Sequence, residues 1–312
     1  MKKILVTGAT GFIGSNLTRV LIENGYEAHI ITRSSKLGWG MKEISKNIKV
    51  HVADLQNPDA EKLIRKIKPN IVFHLAARGS LPEDSSASEI FSANVGGTRN
   101  LIKALLPMEL ELFVNTGTSG EYGIQAKAMD EEKLPMPIND YSISKLAQTM
   151  YVRKEAIVHS FPAVTLRLFS VYGPFEESTR LMPTVVRVMV DKKKEISLSS
   201  PDFVRDFVYV GDVVEAFLAS LKLKLRKGQI YNIGSGKQHA IGDVVRIAKE
   251  ETGFSGKILW NKIPKQSRQI EPKVWQADIS KANIELGWKP KTSLEKGISE
   301  TIEWYKNYKQ IN

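Results

Sequence analysis

The 312-residue sequence predicts an α/β fold: a doubly wound parallel sheet followed by a smaller C-terminal α/β lobe. Three observations lead there. Short β-branched runs alternate with stretches of helical periodicity through the first half of the chain. A glycine-rich turn joins the first run to the first helical stretch. The chain is also longer than one single-core domain usually needs, which argues for two lobes.

The first run, Ile4-Leu5-Val6, is too short for a helix and β-branched enough for a buried strand. Thr7 and Gly8 break it, Gly11 and Gly14 follow, and a helical pattern begins at Phe12 and Ile13. Glycine permits positive φ and lets backbone N–H groups approach a ligand. The helix N-terminus adds a partial positive charge. Gly8, Thr10, Gly11, Phe12, Ile13 and Gly14 therefore read as a cradle for a dinucleotide pyrophosphate. The spacing is G-x-x-G-x-x-G, looser than the G-x-G-x-x-G fingerprint. Its position at the N-terminus, with βα units behind it, favours a dinucleotide over an ordinary turn.

The first helix runs to about Glu23 and stops at Asn24-Gly25. Glu27–Thr32 is a second strand, whose end faces the adenosine ribose. A carboxylate there suits NAD and an arginine suits a 2′-phosphate. Thr32, Arg33 and Ser34 offer a cation and no carboxylate, so the expected cofactor is NADP, with NAD as the alternative. Lys49–Ala53 is a third strand running into Asp54-Leu55, and a helix follows over Asp59–Ile67. Asn70–Ala76 is a fourth strand; at its end Leu75, Ala76 and Ala77 let the backbone approach the cofactor. A helix from Ser88 to Leu106 places Asn94 on an otherwise apolar face, where it serves the cofactor or bridges buried backbone. Leu110–Asn115 is a fifth strand leading into Thr116–Gly123, TGTSGEYG. In a parallel sheet the crevice lies at the carboxyl ends of the strands, which gathers Gly8, Arg33, Ala77 and Thr118 at one rim.

Asn139 or Asp140 caps the next helix, which repeats Ile143, Leu146, Ala147 and Met150. Tyr141 and Lys145 share one face at its start. A free tyrosine has a pKa of about 10, too high for work near neutrality. A lysine one turn away favours the phenolate, and Thr118 can hydrogen-bond the same substrate oxygen. Thr118, Tyr141 and Lys145 form a constellation for coupled proton and hydride transfer. No G-x-S-x-G elbow supports serine-nucleophile chemistry.

Pro162–Phe169 is a sixth strand, after which the rhythm loosens. Helices are expected over Met182–Met189, Asp212–Leu223 and Ile241–Thr252, and strands over Ile196–Leu198, Gln229–Gly234 and Ile258–Trp260. Two closing helices flank Gly287. Residues 1–170, with part of 205–235 returning to them, form the dinucleotide-binding domain, and 171–312 mainly the second lobe.

Composition narrows the function. No 18-residue apolar run is present, so no transmembrane helix is expected. The N-terminus enters a strand directly, unlike a signal peptide. There are no cysteines, so disulfides, thiolate nucleophiles and cysteine-bound zinc are excluded. The five histidines have no metal-ligand spacing, and no metal is expected. These features fit a cytoplasmic enzyme. The net charge of +11 raises nucleic-acid binding. The basic runs at Lys192–Lys194 and Lys222–Lys227 lack aromatics suited to base stacking, so a polyanionic small substrate is the better partner.

TGATGFIG, His74–Ala77 (HLAA), the Asn94 helix, TGTSGEYG and the Tyr141-x-x-x-Lys145 pair resemble the extended short-chain dehydrogenase/reductases, specifically the nucleotide-sugar epimerase/dehydratase group. Tyr172–Pro174 (YGP), RDFVYVGDV at Arg205–Val213, YNIGSG and the Arg268 segment extend the resemblance over nearly the whole chain. The resemblance implies a Rossmann-type domain and a nucleotide-diphosphate sugar as substrate. It implies catalytic roles for Thr118, Tyr141 and Lys145, and sugar-nucleotide contacts for Ser119, Ser170, Arg205 and Arg268. It further implies a homodimer through a four-helix bundle formed by the helices after Ser88 and Tyr141. Ser119 and Gly120 stand where the family's 4,6-dehydratases carry Asp-Glu, which argues against water elimination. Thr32-Arg33 is unlike the 4-epimerases, which usually end the second strand with an acidic residue. Ser170 replaces a frequent Asn and Asp140 a usual Pro. The expected reaction is NADPH-dependent reduction of a 4-keto-6-deoxy sugar nucleotide, with a 4-epimerase as the alternative. A non-catalytic dinucleotide sensor, the reading from another class, usually lacks the tyrosine–lysine pair.

Overall fold

A computed structural model describes residues 2–79, 85–224, 226–262 and 272–311. The chain opens with strand β1 (Lys3–Thr7), helix α1 (Phe12–Glu23), β2 (Glu27–Thr32), β3 (Lys49–Val52), α2 (Asp59–Ile67) and β4 (Ile71–His74). Then come α3 (Ala87–Phe91), a π-helical turn (Ser92–Gly96), α4 (Gly97–Leu105), β5 (Leu112–Thr118), a 3-10 turn (Ser119–Tyr122) and α5 (Asp140–Val158). The remainder is β6 (Ala163–Leu168), β7 (Ser170–Tyr172), α6 (Leu181–Val190), β8 (Glu195–Ser197), β9 (Val204–Arg205), β10 (Phe207–Tyr209), α7 (Val210–Ser220), β11 (Lys227–Ile233), β12 (His239–Ala240), α8 (Ile241–Thr252), β13 (Lys257–Leu259), a second π-helical turn (Ala282–Leu286) and α9 (Leu294–Ile311).

Seven strands form one parallel sheet in the order β11-β6-β5-β4-β1-β2-β3. The order reverses between β1 and β4, which opens a crevice at their carboxyl ends. Strand alternation builds a core on each face. Ile4, Val6, Phe73 and Val114 pack against Leu17 and Leu21 of α1 and Val213 and Phe217 of α7. Leu5, Val72 and Phe113 face Ile64, Leu101, Leu105 and Val152 from α2, α4 and α5. A further cluster joins α6, α8 and α9 through Val185, Met189, Val244, Val245, Ile298 and Ile302.

Three elements depart from expectation. β5 continues past Asn115 because Thr116, Gly117 and Thr118 pair with Leu166, Arg167 and Leu168 of β6. The helix expected over 88–106 is broken by the π turn, which carries Asn94. The first closing helix, before Gly287, is largely one π turn.

Trp39 follows β2, Phe175 follows β7, and Trp304 and Tyr308 lie on α9. Their rings meet with centroids 5.0 to 6.0 Å apart. The Arg19 guanidinium covers Phe175 at 3.9 Å.

Candidate active site

A cleft of about 1840 Å³ opens along the carboxyl edge of the sheet. Its wall brings together Gly8, Thr10–Gly14, Arg33, Ser34, Asp54, Leu55, Leu75–Ala77, Thr118, Ser119, Tyr141, Lys145, Ser170 and Arg205. Arg268 lies outside the described residues. Of the two roles expected for Asn94, the structure shows the bridge to buried backbone: the residue is fully buried and does not line the cleft. Its Oδ1 accepts from Arg78 N–H at 2.8 Å, and its Nδ2 donates to the Arg78 carbonyl at 3.0 Å and to Ser144 Oγ at 2.9 Å. With its groups spent on protein, Asn94 shapes the loop after β4 rather than reaching a ligand.

The glycine turn is built by close approach. Gly8 has φ +72°, and a Cβ there would lie 2.5 Å from the Ala76 nitrogen. A Cβ on Gly14 would lie 2.2 Å from the Gly8 carbonyl oxygen. α1 begins at Gly11 with no side-chain cap and no acidic residue in its first turn. Its N–H donors and positive end therefore reach the cleft unneutralised, which fits a diphosphate. At the far end, Arg33 is exposed and makes no hydrogen bond or ion pair among the described residues. Asp54 Oδ1 accepts from Gln56 N–H at 2.9 Å and so shapes the turn after β3.

Thr118 ends β5 and caps the following 3-10 turn, its Oγ1 accepting from Gly120 N–H at 3.3 Å. Asn139, not Asp140, caps α5, through Ser142 N–H at 2.8 Å. That starts the helix with Tyr141 half-buried in the cleft wall and Lys145 buried one turn on. Lys145 Nζ donates to Gln148 Oε1 at 2.7 Å, and Gln148 Nε2 donates to Asn115 Oδ1 at 2.6 Å.

Burial dominates the electrostatics of the site. Burial pushes the Tyr141 hydroxyl up to about 12; Arg180 opposes this, while Glu121 and Glu177 reinforce it. Burial also lowers Lys145 to about 8, with the Glu121 charge opposing the fall. Glu176, in the same wall, is raised by burial to about 8.

The sequence reading passed over Glu121, Arg167, Gln148 and Asn115, all fully or almost fully buried behind Thr118 and Lys145. The signal available was Arg167, a charge inside the apolar run PAVTLRLF. Ser170 starts β7, which pairs with β10, and the Arg205 guanidinium sits 5.6 Å from the Trp275 ring. No helix among the described residues is long and apolar enough to cross a membrane, and no cluster of three metal-ligating side chains occurs among them.

A doubly wound sheet with an open helix N-terminus and a tyrosine–lysine pair at its carboxyl edge defines an extended short-chain dehydrogenase/reductase. The model of the NAD dependent epimerase/dehydratase family matches residues 4–234, and the chain belongs to that family. A dTDP-D-glucose 4,6-dehydratase of Homo sapiens is 31% identical over 334 residues, covering 99% of this chain and 93% of that protein. A UDP-glucose 4-epimerase of Thermotoga maritima, solved with UDP-glucose, has a TM-score of 0.88 and 28% identity over 98% of this chain and 99% of its own. A UDP-glucuronic acid 4-epimerase of Bacillus cereus, solved with UDP-glucuronic acid and NAD, has a TM-score of 0.86 and 29% identity over 98% of this chain and 99% of its own. These neighbours favour the epimerase over the reductase expected above, and NAD over NADP. The Arg33 argument inferred a 2′-phosphate from a residue type, whereas the side chain is exposed at a strand end.

Proposed function

We propose that the protein is an NAD-dependent 4-epimerase of a nucleoside-diphosphate sugar. The observation that carries this is the turn after Thr118. Ser119 and Gly120 occupy the positions of a dehydratase acid and base, and a Cβ on Gly120 would lie 2.4 Å from Ser142 Oγ. A side chain at position 120 would have to displace the Ser142 hydroxyl, and with serine and glycine at these two positions elimination lacks its acid–base pair. The Tyr141–Lys145–Thr118 set remains, and it suits reversible oxidation at C4.

In this reading Gly8–Gly14 hold the cofactor diphosphate, Thr32–Ser34 with Asp54 and Leu55 surround the adenosine, and Leu75–Ala77 approach the nicotinamide side. NAD, when bound, would supply the hydride acceptor for oxidation of the sugar at C4. Tyr141 would take the proton of the C4 hydroxyl on oxidation and return it to the C4 oxygen on reduction. Thr118 orients the C4 oxygen. Lys145 keeps the tyrosine's surroundings cationic. Ser119 and Ser170 face the sugar, and Arg205, with Arg268, holds its diphosphate by charge-assisted hydrogen bonds. The lobe from 171 to 312 is the sugar-nucleotide side.

The α5 helix supports a homodimer. Its buried face is largely polar, with Ser142, Ser144, Lys145, Gln148 and Thr149. Its exposed face carries Ile143, Met150 and Ile157 at 40%, 38% and 63% exposure, a stripe suited to a second copy.

The test is to incubate purified protein with UDP-glucose, without added cofactor, and follow the 4-epimer by chromatography. Interconversion without net cofactor consumption supports the reading. Product formed only with stoichiometric NADPH oxidation from a 4-keto substrate would replace it with the reductase.

A further inference from the structure

We propose that Glu121 is a positioning residue of the reaction: it anchors the backbone that carries Thr118 and supplies the countercharge that keeps Lys145 an ammonium ion. This rests on the reading of Thr118 and Lys145 given above. Glu121 is completely buried. Its Oε1 accepts from Thr118 N–H at 2.8 Å and from Thr149 Oγ1 at 3.2 Å. Its Oε2 accepts from Arg167 Nε at 3.0 Å and Nη2 at 2.8 Å. A Cβ on Gly117 would lie 2.7 Å from Oε1, so the carboxylate is pressed against the strand that ends in Thr118.

A neutral side chain could hold the Thr118 N–H equally well. A carboxylate at zero exposure carries a desolvation penalty that a neutral group does not, and here it requires a buried arginine to stay ionised. Burial raises Glu121, and Arg167 is the first of the groups that oppose the rise. The outlay is intelligible if the charge has a second task. Lys145 is buried, and Glu121 is the charge that holds its pKa up. The titratable groups coupled to Lys145 are Glu121 from the turn after β5 and His74 from β4. His74 is held neutral, its pKa lowered to about 3 by burial and by Lys145 itself. Arg180 and Glu177 act on Tyr141 from the opposite wall. Without Glu121, burial alone would govern Lys145, and a neutral amine no longer favours a phenolate.

The experiment reads the Lys145 ε-amine directly, in the cofactor-free protein. Lysines labelled with ¹³C at the ε carbon are titrated by NMR, with Lys145→Met identifying the signal. In wild type the midpoint is expected near pH 8. In Glu121→Gln, which keeps an acceptor for Thr118 N–H, it should fall by about one unit or more. Glu121→Gln/Arg167→Met removes both buried charges and decides the matter if the single variant does not fold. A midpoint unchanged from wild type, in a variant that still binds NAD, overturns the proposal. In turnover, the alkaline limb of kcat should move down by the same amount, whereas a purely structural role would scale the whole profile. If wild type shows no epimerase turnover, the functional reading fails while the ε-amine titration still decides the role of Glu121.

Discussion

Asn94 Nδ2 donates to Ser144 Oγ at 2.9 Å, and Ser144 Oγ donates to the Tyr141 carbonyl at 2.7 Å. The first of these bonds spans 50 residues of chain and joins the π turn to the helix that presents Tyr141 and Lys145. Asn94→Ala strips partners from Arg78 and Ser144 at once. It should destabilise the protein by about 1–3 kcal/mol, read as a lower Tm or urea midpoint. Ser144→Ala should lose less, since Asn94 keeps both bonds to Arg78. Equal stability of Asn94→Ala and wild type would refute the bridging role.

On the function proposed above, Tyr141→Phe removes the proton carrier without removing the ring from the cleft wall. We expect kcat to fall by about 10²- to 10⁴-fold while the Kd for NAD, measured by calorimetry, stays within a few-fold. Turnover at the wild-type rate would take Tyr141 out of the mechanism.

His74 gives the fold a pH dependence of definite sign. Its ring is fully buried between Thr7 Oγ1 at 2.6 Å and Thr98 Oγ1 at 2.7 Å. Thr98 donates to the Asn94 carbonyl at 2.6 Å, so it must accept from Nε2–H, and Nδ1 accepts from Thr7. Burial lowers the folded pKa to about 3, against 6.5 for the free group. The unfolded chain therefore binds a proton that the native state refuses. The contribution is fully present above pH 6.5 and is lost progressively as pH falls toward 3. Urea melts between pH 7 and pH 4 should show stability falling by a few kcal/mol, with His74→Gln flattening that part of the slope.

Arg33 tests the cofactor. With NAD as the resident dinucleotide, wild type should bind NAD more tightly than NADP, and Arg33→Ala should change the NAD affinity by less than about tenfold. A selective loss of NADP affinity of about 100-fold, from a wild type that prefers NADP, would restore the first reading of the strand end.

The sheet was readable because its determinants are local. Ile4–Val6, Gly8 and the helical apolar spacing of α1 each specify their own conformation, and the parallel order follows from strand–helix alternation. The cleft residues were readable for the same reason, since strand ends in a parallel sheet converge. What escaped depends on partners distant in sequence. Glu121 meets Arg167 across 46 residues. Thr116–Thr118 extend β5 only because β6 pairs with them, although Gly117 and Gly120 read as loop. The π turn at Ser92–Gly96 has the same apolar periodicity as an α-helix, so the pattern put Asn94 on the apolar face but did not announce the break in the helix. The charge of Arg33 was visible, but its orientation was not.

The group formed by Trp39, Phe175, Trp304 and Tyr308 holds two of the five tryptophans of the chain. Trp39 lies just beyond the cleft-lining residues Arg33, Ser34 and Gly38, and Phe175 directly precedes the cleft-lining Glu176 and Glu177. Two indoles at that junction are native fluorophores whose emission answers to displacement of either rim. Displacement of either rim by a ligand in the cleft should therefore register as a change in the emission of these indoles, an optical gauge that needs no label.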